Sequence, residues 1–97
     1  MPKYFNFTVR GYTLYFTSKC IVEAMHAHAS DSKLTERGSA KFWVFPDGSS
    51  RLQNRGVLSD RDIVELQEFI ADNYEKMIAM WKAHCDRAGE PTTFMNK

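Results

Sequence analysis

The 97-residue sequence predicts a single α+β domain: an antiparallel sheet of four or five strands with one kinked or two C-terminal helices packed on it. Three patterns lead there. Apolar and polar residues alternate with a period of two through much of the chain up to Arg55. From Leu58 to Trp81 the apolar residues recur instead at spacings of three and four. Arg10-Gly11 and Pro46-Asp47-Gly48 punctuate the strand-like runs with turn chemistry. Residues 1–88 form the expected domain and residues 89–97 a C-terminal tail.

Bulk properties narrow the class. An apolar content of 43% is enough for one core in a chain of this size. Thirteen basic and 12 acidic residues nearly cancel, so net charge gives no drive toward non-specific nucleic-acid binding, although one face can still be basic. No apolar run approaches the ~18 residues of a membrane span, and Met1-Pro2-Lys3-Tyr4 does not open a secretory signal. Cys20 and Cys85 stand far apart, which suits free thiols in a reducing cytoplasm. The expected location is therefore cytoplasmic.

The strands follow in order. Tyr4 to Val9 sets Phe5, Phe7 and Val9 against Tyr4, Asn6 and Thr8, predicting a half-buried strand with an aromatic inner face. Tyr12 to Thr17 puts Tyr12, Leu14 and Phe16 on one side, and the two runs read as a hairpin around Gly11. Ser18 to Ala29 is mixed: Cys20-Ile21-Val22 suits a strand, whereas Glu23-Ala24-Met25 suits a helix. The extended reading of Met25 to Ala29 sends Met25, Ala27 and Ala29 to the core and leaves His26 and His28 together on the other face. A helix would turn the two rings about 200° apart. Ser30 to Ser39 is polar and reads as a loop. Ala40 to Phe45 is the clearest strand, with Ala40, Phe42 and Val44 alternating against Lys41, Trp43 and Phe45. After the Pro46-Asp47-Gly48 turn, Ser49 to Arg55 returns with Leu52 inward and Arg51, Gln53 and Arg55 outward.

The remainder is helical. Ser59 is a suitable N-cap, Asp60 and Asp62 lie where the helix dipole favours acids, and Leu58 with Ile63 form a hydrophobic staple. Leu66, Phe69, Ile70, Tyr74, Met77, Ile78 and Trp81 continue one apolar face. An unbroken helix to His84 would run about 37 Å and project from a domain whose radius of gyration is near ~13 Å. Asp72, with Glu75 at capping-box spacing and the weak helix former Asn73 between them, offers the break. Gly89 and Pro91 close the helical region.

His26-Ala27-His28 is the clearest candidate site. On a strand, two imidazoles can bind one metal ion. The further ligands would have to come from His84, Cys85, Cys20 or Asp31, at distances the sequence does not set. With no Cys-x-x-Cys or His-Glu-x-x-His pattern, no metal and no cofactor is assigned. The plain alternative is a pair of rings hydrogen-bonded on a polar sheet face. A wider reading gathers His26, His28, Lys41, Trp43, Arg51, Gln53 and Arg55 on that face. Lys41, Trp43, Arg51 and Arg55 would then contact RNA through phosphates and base stacking, and His26 with His28 would act as catalytic acid and base at a ribose hydroxyl. Against it stands the reading in which Trp43 and Phe45 lie under the helices as a second wall of the core. Met77, Met80 and Trp81 form a stripe that suits core packing against the sheet first and a partner surface second. Neither a nucleophile elbow nor a glycine-rich phosphate loop is present.

Met1-Pro2, Gly11-Tyr12, His26-Ala27-His28-Ala29, Asp47-Gly48, Asn73, Tyr74, Met77, Trp81 and Gly89-Glu90-Pro91 occur in an order and spacing that resembles the bacterial "domain of unknown function 4160" family. The resemblance covers almost the whole chain. It implies a fold that is β-rich at the N-terminus and helical at the C-terminus. It also implies a small partner protein of antitoxin type, in the manner of a toxin–antitoxin module. The family's histidine motif maps onto His26 and His28 and its helical tryptophan onto Trp81. Met25 stands where the family's motif usually has a proline, and the Ser30–Ser39 loop is long. The expected function is a toxin–antitoxin-type component acting through protein and RNA contacts, with RNA cleavage as its catalytic form. The alternative is a non-catalytic interaction module, homodimeric through the helical stripe. Whether the protein is an enzyme stays open at this point.

Overall fold

A computed structural model describes residues 3–17, 19–31 and 38–96. Strands β1 (Thr13–Tyr15), β2 (His26–Ser30), β3 (Ala40–Val44) and β4 (Ser50–Asn54) lie side by side in chain order, each antiparallel to the next. Helices α1 (Asp60–Asp72) and α2 (Tyr74–Ala88) follow. The result is the predicted α+β arrangement, an open antiparallel sheet with two helices packed on it. Most of the loop expected over Ser30–Ser39, residues 32–37, lies outside the described residues.

The period-two pattern decides which side of each strand is buried. Leu14, Met25, Ala27, Ala29, Ala40, Phe42 and Val44 enter one core with Leu66 and Ile70 of α1 and Met77, Trp81 and Cys85 of α2. Met25 to Ala29 is thus extended, as the alternation required, and β2 itself begins at His26. Cys20–Val22, which suited a strand in sequence, makes a short 3-10 turn. It begins where the Cys20 N–H bonds back to the Thr17 carbonyl (2.9 Å).

The strand predicted over Tyr4–Val9 does not form. Isolated bridges of Lys3 with Tyr15 and Val9 with Tyr12 tie this stretch to the sheet. The aromatic residues find partners off the sheet: Phe5 and Phe7 meet Phe69 of α1 edge-on, with ring centroids 5.1 and 6.0 Å apart. Tyr4, expected outward, is buried instead and donates from its hydroxyl to the His26 carbonyl (2.8 Å). Arg10 takes a left-handed φ of 52° at the turn, where Asp62 (2.7 Å) and Glu65 (2.9 Å) hold its guanidinium.

Ser59 caps α1 as read, and the structure adds a reciprocal bond from Asp62. The Ser59 hydroxyl accepts from the Asp62 N–H while the Asp62 carboxylate accepts from the Ser59 N–H, so two otherwise unsatisfied donors are capped. The helix ends at Asp72, and Asn73, with φ −118° and ψ 18°, separates it from α2. Two helices replace one projecting rod, and the radius of gyration is 12.3 Å. Gly89, left-handed at φ 71°, caps α2. The tail beyond it is tied down: the Thr93 carbonyl accepts from the Met25 N–H (2.8 Å), and Phe94 packs on the core. No described helix is long and apolar enough to cross a membrane.

Candidate functional site

The site is built on β2. Alternation places His26 and His28 on the side opposite Ala27 and Ala29, and the ladder sets His26 beside Trp43 and His28 beside Lys41 of β3. The two imidazoles meet edge to face at 5.0 Å. His26 is fully buried between tryptophans of two different elements, Trp43 (5.4 Å) and Trp81 of α2 (5.3 Å). His28 is half-buried and stacks on Tyr15 of β1 at 5.2 Å.

The His26 ring has a defined tautomer. Its Nδ1 lies 2.9 Å from the Ala24 carbonyl, and a carbonyl oxygen only accepts, so Nδ1 carries the proton and Nε2 the lone pair. That Nε2 is buried and has no hydrogen-bond partner among the described residues. Burial pushes the His26 imidazole down from 6.5 to about 4, and the nearby positive charges of His28 and Lys41 add to the effect. The ring is therefore neutral at physiological pH. It is not poised near neutrality, as a general acid or base would be.

Cys20 arrives from the 3-10 turn. Its Sγ lies 3.5 Å from His28 Nε2 and receives the Thr17 N–H at 3.3 Å, with the Thr17 hydroxyl at 3.2 Å. Cys20 Sγ and one nitrogen from each of His26 and His28 all lie within 4.8 Å of one another. Of the further ligands considered from sequence, Cys20 is the one the fold brings to the pair. His84 instead sits edge-on to Phe16 at 5.0 Å, and the Cys85 thiol points at the Ile21 carbonyl at 3.9 Å. Cys20 and Cys85 are both free and buried.

The predicted cationic face is assembled in part. Lys41 lies over the Trp43 ring at 4.3 Å and pairs with Glu23 at 3.1 Å. Trp43 is only 8% exposed, and its indole N–H donates to Gln53 (2.9 Å). Arg51, exposed and opposite Trp43 on β4, lies 5.8 Å from the Phe45 ring centroid. Arg55, beyond the end of β4, is held by Asp60 of α1. A bulge in the β3–β4 ladder beside Lys41 places Gln53 where it can meet Trp43.

Cys20 and Trp81 complete a site that the pattern of strands and helices did not assemble. A signal for Cys20 was present, since it precedes the histidine pair in a Cys-x5-His-x-His spacing within one short stretch. Trp81 gave no such signal, because its helical spacing equally suits simple core packing.

Residues 11–82 match the family model described as "Domain of unknown function (DUF4160)". The chain belongs to that family. The matched region holds all of Cys20, His26, His28, Trp43 and Trp81, so the whole site lies inside the DUF4160 unit. Residues 3–10 and the tail that reaches Met25 lie outside it. No curated protein and no solved structure matches the chain.

Proposed function

We propose that this DUF4160 chain is a non-catalytic, partner-binding component of toxin–antitoxin type, which docks an acidic and apolar segment of a small partner protein. The observation that carries the reading is a surface groove between residues 3–7 and α2. Its walls combine two lysines, Lys3 and Lys76, with Phe5, Phe7 and Met80. Phe7 is 52% exposed, adjoins Phe5 and lines the groove with Met80. Aromatic and methionine surface supplies adaptable apolar contact, and the flanking ammonium groups select acidic residues in the occupant. One wall, residues 3–7, lies outside the matched DUF4160 region and the other, Lys76 and Met80, lies inside it.

The catalytic reading has less support. An acid–base pair needs both imidazoles near their reacting atoms and close to half-protonated, whereas His26 is sealed from solvent and held neutral. RNA contact through Lys41, Trp43, Arg51 and Arg55 is also the weaker case. Lys41 and Arg55 are paired with carboxylates, and Trp43 is nearly covered.

Co-expression with a small candidate partner protein of antitoxin type, followed by size exclusion with light scattering, tests the proposal. A stoichiometric complex is expected, and the double change Lys3→Glu, Lys76→Glu should abolish it while the circular dichroism stays that of the wild type. A complex indifferent to that double change and to Phe7→Ser would refute the groove. So would a chain that forms no complex with that protein but cleaves RNA in a His28-dependent manner.

A further inference from the structure

We propose that Cys20, His26 and His28 bind one divalent transition-metal ion, with zinc the best match to the donor set. A thiolate and two imidazoles are ligands zinc prefers over the oxygen-rich shells of magnesium or calcium. The cluster is the one group of histidine, cysteine and carboxylate side chains among the described residues whose donor atoms come so close together. Zinc bonds of 2.0–2.3 Å in a tetrahedron separate ligand atoms by roughly 3.3–3.8 Å. The present spread, within 4.8 Å, thus needs up to about 1.5 Å of contraction, within the reach of rotamer adjustment.

Two independent features point to a ligand rather than to packing alone. The first is the orientation of His26. Its Nδ1–H is fixed on the Ala24 carbonyl, as the non-ligating nitrogen of a metal-binding histidine usually is. That leaves a buried Nε2 lone pair with no partner among the described residues. A polar atom in that condition costs free energy unless something coordinates it. The second is the setting of Cys20. The backbone N–H of Thr17 points at Sγ at 3.3 Å and the Thr17 hydroxyl lies 3.2 Å from it, which holds the sulfur 3.5 Å from His28 Nε2. Three protein ligands leave a fourth position for water or for a group brought by another molecule. Half-buried His28 marks the side on which that position meets solvent.

The test uses the whole chain purified without a polyhistidine tag and stripped with a chelator. Titration with cobalt(II) should produce a thiolate-to-metal charge-transfer band that saturates at one ion per chain. Zinc should bleach the band and raise the melting temperature. Trp43 and Trp81 flank His26, so cobalt should also quench tryptophan fluorescence with the same stoichiometry. Cys20→Ser, close in size to the native residue, should remove the band and weaken zinc by more than about 100-fold, since loss of an outer-shell partner alone costs 10–100-fold. His28→Gln should weaken it comparably, and Cys85→Ser should leave both readouts unchanged. Absence of stoichiometric cobalt or zinc binding to the folded wild type at micromolar concentration would overturn the proposal. Binding that survives intact in both Cys20→Ser and His28→Gln would do so too.

Discussion

Lowering the pH of the metal-free protein from 7.5 to 5 is expected to cost about 2 kcal/mol of folding stability through His26 alone. In the unfolded chain this imidazole titrates at its ordinary 6.5, and in the fold burial pushes it to about 4. The neutral form is thus the one the native state prefers. Stability is complete above pH 6.5 and falls as acid protonates the unfolded chain first, levelling out below pH 4, where both states carry the proton. The shift of 2.5 (6.5 − 4) at about 1.36 kcal/mol per unit sets a ceiling of about 3.4 kcal/mol. At pH 5 the unfolded imidazole is almost fully protonated and the folded one only about a tenth, which yields the smaller figure. The charged and titratable groups around the ring are His28, Lys41 and Glu23, while Trp43 and Trp81 supply the apolar walls. Urea unfolding of the wild type and of His26→Gln, across that pH range and with chelator present, isolates the effect. The difference between the two curves should change by about 2 kcal/mol, because other groups titrate in both proteins. Parallel curves would show that His26 protonates freely in the fold, and the case against its acid–base role would lose its basis.

Three substitutions test the packing of the domain. Leu66→Ala empties a fully buried position of α1 and should cost about 2–5 kcal/mol, a fall in melting temperature of at least about 8 °C by calorimetry. Gly56→Ala should destabilise more than Gly89→Ala, although both residues have a positive φ. A Cβ at Gly56 would stand 2.5 Å from the Gly38 carbonyl oxygen and 2.7 Å from the Ser39 carbonyl carbon, whereas one at Gly89 meets nothing within 4 Å. The backbone strain common to both is about 1–2 kcal/mol, so equal losses on denaturant unfolding would mean that the Gly38–Ser39 backbone yields freely.

Much of the architecture follows from local chemistry. Ala40, Phe42 and Val44 are fully buried as their period of two required, and Ser59 caps α1 as its residue type suggested, whereas the capping-box spacing of Asp72 and Glu75 forms no side-chain cap at the start of α2. The same-face relation of His26 and His28 needs only a strand, and that was readable. The first aromatic run misled because alternation reports two faces and not their environments: Phe5 and Phe7 found Phe69 across the domain instead of a sheet neighbour. The distance of Cys20 from the histidine pair was hidden for another reason. A 3-10 turn of three residues carries no hydrophobic period, so its position depends on Thr17 and on contacts made elsewhere. The pairing of Lys41 with Glu23 and of Arg55 with Asp60 was equally beyond reach, since it depends on where loops end in space. Those contacts separate a free cationic face from one already engaged within the fold.

The strand order of the sheet, identical to the chain order, has a kinetic consequence. Each ladder joins neighbours along the chain, so the sheet can zip from hairpin to hairpin without first closing a long loop. Cys20, His26 and His28 fall within that early, short-range part of the chain. Trp81 reaches His26 from the far end, and the contact is complete only once α2 has docked. Cys20, His26 and His28 are thus brought together by short-range pairings, whereas the Trp81 wall beside His26 depends on the long-range docking of α2.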